Sequence, residues 1–158
     1  MRETHRVPFS VRRLRSGDED VLRLLADEAP DFDVPGREPQ TPLGAAAAAD
    51  YLTSSWVLHW VAEEDGRVLG DVVCHVLPLP YRGTEMLLYS IGVREADRRR
   101  GVGRALVDEM FRWARDNRID EVWVLADNPE AEAFYAACGF RRGEADEQGV
   151  VMLAVIDV

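Results

Sequence analysis

Apolar and polar positions change period several times along the chain, and each change marks an element. Phe9 to Arg15 alternates with period two and predicts a short first strand. Ser16-Gly17-Asp18 is a turn and helix cap. Val21, Leu22, Leu24, Leu25 and Ala29 then recur at helical spacing and stop before Pro30. Pro30 to Pro42 holds four prolines and Gly36 and predicts a loop. Leu43 to Leu52 is rich in Ala, the best helix former, and predicts a second helix. Trp56–Ala62 and Val68–Leu77 are apolar strands around a Glu64-Asp65-Gly66-Arg67 hairpin turn, the second ending at Pro78. Glu85 to Val93 is a third long strand. Gly101 to Asn117 is a helix with Val102, Leu106, Met110 and Trp113 spaced three or four apart. Ile119 to Ala126 is a strand. Asn128-Pro129 opens another helix and Gly139 closes it as a left-handed cap. Phe140–Gly143 and Val150–Ile156 are the last strands.

A meander followed by strand–helix–strand implies a mixed sheet with a right-handed crossover. The expectation is one α/β (α+β) domain over residues 1–158, with a mostly antiparallel central sheet of six to seven strands and helices on both faces. Trp56, Trp60, Trp113 and Trp123 follow core phases. The last strand is apolar enough for a homodimer interface and equally suits a core strand.

Charge changes the picture more than length does. The 158 residues carry 29 acidic and 19 basic side chains, a net charge of -10. All the basic residues are Arg, and five fall between Arg94 and Arg104. The acidic balance argues against a nucleic-acid binder. No apolar run approaches the roughly 20 residues that span a bilayer. The start, with Arg2, Glu3, His5 and Arg6, does not resemble a signal peptide. Cys74 and Cys138 lack zinc spacing, so no metal site is expected and a reducing cytoplasm suits them.

The densest local signal is Arg98-Arg99-Arg100-Gly101-Val102-Gly103-Arg104, between a strand and an amphipathic helix. Unpaired N–H groups of a first helical turn form an anion site, and glycines allow close backbone approach. Flanking arginines add charge-assisted bonds, so pyrophosphate is the natural occupant. The competing reading is a solvated arginine run. Walker and Rossmann spacings are both absent.

These residues resemble the GNAT superfamily of acetyl-CoA-dependent N-acetyltransferases. Arg98, Gly101 and Gly103 match its Arg/Gln-x-x-Gly-x-Gly/Ala loop, and Asn128, Ala131, Tyr135, Gly139 and Phe140 match a second block. Asp50-Tyr51-Leu52, Val76-Leu77-Pro78, Glu85, Tyr89 and Arg99-Arg100-Gly101 look like type I aminoglycoside 3-N-acetyltransferases, a narrower likeness over Tyr51 to Phe140. Those enzymes tend to place an acid where this chain has Ser90, after Tyr89.

The resemblance implies acetyl transfer from acetyl-CoA to an amine in a ternary complex. Pyrophosphate would sit on the N–H groups from Arg99 to Arg104, and pantetheine beside Ile91-Gly92-Val93. Val93 N–H would stabilise the developing oxyanion. Tyr135 matches the family's general acid and Asn128 a coenzyme contact, besides being an N-cap by residue type. Gly92 inside a strand predicts a bulge or a close backbone approach. Glu85 is the candidate base, on one face with Val93 by its even separation unless a bulge shifts the phase. His59, His75, Asp71 and a water relay are further options, with core packing as the plain reading of both histidines. Asp31, Asp33 and Glu38 suit a pocket for a small cationic acceptor, an aminoglycoside being the named candidate. A protein or metabolite amine, or a non-catalytic acyl-CoA-binding module, are the alternatives.

Overall fold

In chain order the elements are β1 (Ser10–Arg13), α1 (Glu19–Asp27), α2 (Ala29–Phe32), α3 (Ala45–Thr53), β2 (Val57–Glu64), β3 (Arg67–Leu79) and β4 (Gly83–Val93). A short 3-10 turn (Glu95–Asp97) leads to α4 (Val102–Asp116), β5 (Glu121–Ala126), α5 (Pro129–Ala137), β6 (Arg141–Asp146) and β7 (Gly149–Val155). The computed structural model describes residues 8–32, 38–81, 83–146 and 149–156. Seven strands form one sheet in the order β1-β2-β3-β4-β5-β7-β6. All neighbours are antiparallel except β4 and β5.

Each face of the sheet has its own core. On one face, Leu58, Trp60, Val72, Met86, Leu88, Val122 and Val124 pack with Leu106 and Met110 of α4 and Tyr135 of α5. On the other, Val61, Val68, Leu14 and Phe32 pack with Val21, Leu22, Leu25 and Leu52 of α1 and α3. The alternation of Trp60 and Val61 along β2 is what sends adjacent residues into different cores. β7 is an interior strand of the sheet, with Met152 and Ala154 buried.

Three expectations need correction. The segment after Pro30 is not all loop, because Ala29–Phe32 makes a helical turn. Pro30 stands at its second residue, where a missing N–H breaks no helical bond. β3 does not stop at Pro78; it runs on to Leu79 and pairs Pro78 with Thr84. The N–H of Val76 donates to Trp56 at 2.8 Å, so the nitrogen of Pro78 faces the same side just past the end of β2. No ladder bond is lost there. Trp56 is not a core residue: it is 56% exposed.

Arg94 ties α1 and α2 to the sheet. Its guanidinium pairs with Glu28 at 3.0 Å and Asp31 at 3.2 Å, donates to the Val68 carbonyl at 3.0 Å and lies 4.4 Å from the centre of the Phe32 ring. The side chain is 11% exposed although both acids are more open. Arg94→Met should therefore lower stability by about 2 kcal/mol, chiefly through the lost buried donor and ring contact. A urea midpoint at unchanged slope measures it.

Candidate active site

The site grows from a fork in the sheet. β4 and β5 pair only at Glu85–Glu121, Met86–Val122 and Leu87–Trp123. Beyond that point a bulge turns β4 away. Val73 faces Ser90 and Cys74 faces Leu88, leaving Tyr89 as the extra residue. The expected bulge at Gly92 is thus corrected to Tyr89, because Gly92 pairs regularly with Asp71. Gly92 serves the other expectation, close approach: a Cβ there would lie 2.5 Å from the Phe32 carbonyl oxygen.

The bulge also changes the phase of β4. Met86 and Leu88 face the α4 side, and after the extra residue it is Ile91 and Val93 that pack there. Glu85 and Val93 therefore do not share a face, which corrects the even-separation argument. Glu85 is half-buried beside Glu121 at the far end of β4. It lies roughly 25 Å along the strand from Val93.

Past the fork, β4 offers a row of backbone groups to the gap. Arg94 N–H donates to the Leu69 carbonyl at 2.7 Å, so this residue faces β3. Successive residues of a strand point their N–H groups to opposite sides. Ile91 and Val93 consequently direct theirs toward β5, with which they do not pair. The Val93 carbonyl accepts from Arg98 Nε at 3.2 Å, and the Val93 amide is left facing the gap.

β4 and β5 run parallel, so both lead into helix starts at the same end of the fork. Gly101 caps α4 in the left-handed conformation, φ 80°, with no side-chain cap and no heavy atom within 4 Å of where a Cβ would sit. The first helical bond here is Ala105 N–H to Gly101 at 3.0 Å. The amides of Val102, Gly103 and Arg104 precede it and have no partner inside the helix. Gly103 has a packing reason, since a Cβ would meet the Phe134 ring of α5 at 3.1 Å.

The arginines divide their labour. Arg100 pairs with buried Asp97 at 2.7 Å and with Glu64 at 2.8 Å, and Arg67 reaches Asp97 at 2.8 Å. These pairs shape the loop. Arg104 donates to the Ala137 carbonyl at 2.9 Å, at the end of α5. Arg99 adopts a left-handed φ of 62° in the turn before Gly101. Arg94 belongs to the α1–α2 anchor described above. Charge clustering in sequence thus overstated the positive charge that faces outward.

On α5, Asn128 accepts from Ala131 N–H at 2.8 Å and acts as the N-cap. Tyr135 is 6% exposed, its ring between Phe134 and Phe140 at 5.3 and 5.6 Å. Burial first, then the charge of Asp127, pushes its hydroxyl up to about 12. Cys138 and Cys74 add smaller contributions in the same direction.

A cavity of about 220 Å³ opens on the opposite face of β4, between that strand and the α1–α2 corner. Leu25, Ala26, Ala29 and Phe32 form its helical wall, and Asp71, Ser90, Ile91 and Gly92 its floor. Asp71 is the one acid among these described residues. His59 Nε2 is 2.8 Å from Asp71 Oδ2, and Tyr51 Oη is 3.0 Å from His59 Nδ1. Sequence spacing names His59 and Asp71 only singly. They meet because Asp71 pairs with Val61, two residues beyond His59, which puts both on one face. His75 instead makes an edge contact with exposed Tyr89 at 5.4 Å. Asp31 stands at the edge of this corner, held by Arg94; Asp33 lies outside the described residues.

Comparisons with known proteins agree with this geometry. A family model, the acetyltransferase (GNAT) family, matches residues 19–140. A probable N-acetyltransferase family 8 member 5 of Mus musculus is 32% identical over 137 residues, covering 83% of this chain and 58% of that protein. The chain thus spans little more than half the length of that relative. The crystal structure of an aminoglycoside acetyltransferase, HMB0005, from an uncultured soil metagenomic sample superposes with TM-score 0.76 and 22% identity, covering 87% of this chain and 95% of that one. PaiA N-acetyltransferase of Thermoplasma acidophilum, in complex with coenzyme A, gives TM-score 0.72 and 15% identity over 93% of this chain and 98% of that one. These two structures share the fold. By the span of the family match and the forked sheet it accounts for, the chain belongs to the GNAT acetyltransferase family.

Proposed function

We propose that this chain transfers the acetyl group of acetyl-CoA to the amine of a small, cationic acceptor. The observation that carries the reading is the fork: outward amides on β4 and the free helical amides of α4 line one continuous path. The donor set suits coenzyme A. The amides from Arg99 to Arg104, with Gly101 as the open cap, would hold its pyrophosphate, Arg98 standing beside them. Ile91 and Val93 would hold its pantetheine arm as a further strand, with Asn128 across the fork. Acetyl-CoA supplies an activated thioester carbonyl. Val93 N–H donates to the carbonyl oxygen as negative charge grows there. Tyr135 donates a proton to the departing sulfur, and its raised value keeps it protonated at neutral pH.

The acceptor reading rests on the cavity and on charge. The cavity, about 220 Å³ between the α1–α2 corner and the β3–β4 floor, is of a size that favours a small molecule. The net charge of -10 favours encounter with polycations. An aminoglycoside is the named candidate, in keeping with the likeness to HMB0005. Thiol release from acetyl-CoA is the test, with a panel of aminoglycosides, polyamines, amino acids and peptide N-termini. Turnover on at least one cationic small molecule is expected. Turnover on peptides alone would move the acceptor assignment, and none on any amine would overturn the catalytic reading.

A further inference from the structure

Resting on the acetyl-transfer reading, we infer that Asp71 is the base that takes the proton of the acceptor ammonium, positioned for it by His59 and Tyr51. Asp71 is the one titratable side chain among the described residues that line the cavity. Its side chain is 17% exposed. Oδ2 is engaged by His59, while Oδ1 has no hydrogen-bond partner among the described residues. Asp71 pairs with Gly92, directly between the outward-facing Ile91 and Val93. A carboxylate thus stands one strand away from the amides that would hold the thioester.

The two residues behind it fix its position. With the imidazole neutral, Nε2–H donates to Asp71 and Nδ1 accepts from Tyr51, and each residue of the chain is satisfied. Burial pushes the Tyr51 hydroxyl up, so Tyr51 remains a donor. This fixes the carboxylate through a buried, oriented neighbour. Besides His59, the groups that line the cavity around Asp71 are uncharged among the described residues: Leu25, Ala26, Ala29 and Phe32 from α1 and α2, Gln40, and Ser90 on β4. Arg94, stacked on Phe32, is engaged by Glu28 and Asp31.

The proton inventory closes. The ammonium gives one proton to Asp71 Oδ1, and the freed lone pair forms the N–C bond. The C–S bond breaks and its electron pair leaves on sulfur. The second nitrogen proton passes to water as the amide forms, the sulfur receives one proton from Tyr135, and Tyr135 takes one back from water. Asp71 returns its proton to water, so one proton is released per turnover.

The test uses the full chain, acetyl-CoA and the amine best turned over in the panel, from pH 6.5 to 10. Asp71→Asn should lower kcat/KM for the amine about 100-fold at pH 7. The KM for acetyl-CoA should stay unchanged, and the deficit should shrink as pH approaches the amine's own pKa, because a free amine needs no base. His59→Gln should show a smaller deficit with the same pH rescue, and serves if the first variant does not fold. Activity of Asp71→Asn within threefold of the parent, or a deficit equal at pH 7 and pH 10, overturns the assignment while leaving acetyl transfer intact. A parent protein inactive on every amine overturns both.

Discussion

Tyr135→Phe is expected to lower kcat at least about 100-fold while changing acetyl-CoA affinity less than twofold. The substitution keeps the ring, so its contacts with Phe134 and Phe140 and the burial of α5 are retained. Only the hydroxyl is lost. In a purely structural tyrosine, that loss leaves turnover alone. In a proton donor, the thiolate must leave unaided, and the loss appears in kcat rather than in binding. The hydroxyl is pushed up to about 12, mainly by burial. The parent should therefore show no alkaline loss of kcat from this group through pH 10. Steady-state kinetics on the fastest amine of the panel decides it, and an unchanged kcat removes Tyr135 from the chemistry.

Gly101→Asp is expected to weaken acetyl-CoA binding about 100-fold, close to 2.7 kcal/mol. The position has open space for a side chain, and its left-handed φ of 80° is one that Asp and Asn tolerate at about 1 kcal/mol. A carboxylate at a helix start also favours the helix. The fold should survive, and the new charge occupies the place where phosphate would sit. Gly101→Asn is the matched control: the same shape and strain without the charge. It should bind within threefold of the parent. The gap between the two variants should narrow in high salt, since the effect is electrostatic and exposed. Calorimetric titration at two salt concentrations reads both. Equal binding by the Asp variant and its control would show that no anion rests at this cap.

Features set by local chemistry were legible: the Asp65-Gly66 hairpin, the Asn128-Pro129 helix start and the left-handed Gly139 each depend on a few adjacent residues. The glycine-arginine loop before α4 was legible for the same reason. What was lost depends on register. No property of Tyr89 marks it as the bulged residue; only the pairing of β4 with β3 shows it. The shift it causes takes Glu85 off the face that carries Ile91 and Val93. The His59–Asp71 pair needs the β2–β3 register, and Tyr51 joins it only through the packing of α3. Charge density misled in one respect. Arg100 looks like a phosphate ligand in sequence, yet its guanidinium is engaged by Asp97 and Glu64.

The most direct test of the fork as the coenzyme site is an amide-resolved NMR titration with coenzyme A. Saturable shifts are expected, concentrated at Ile91, Val93 and the run from Val102 to Arg104, with smaller changes at Asn128 and Tyr135. Saturable binding that leaves these amides unmoved, or no binding at millimolar coenzyme A, would contradict it.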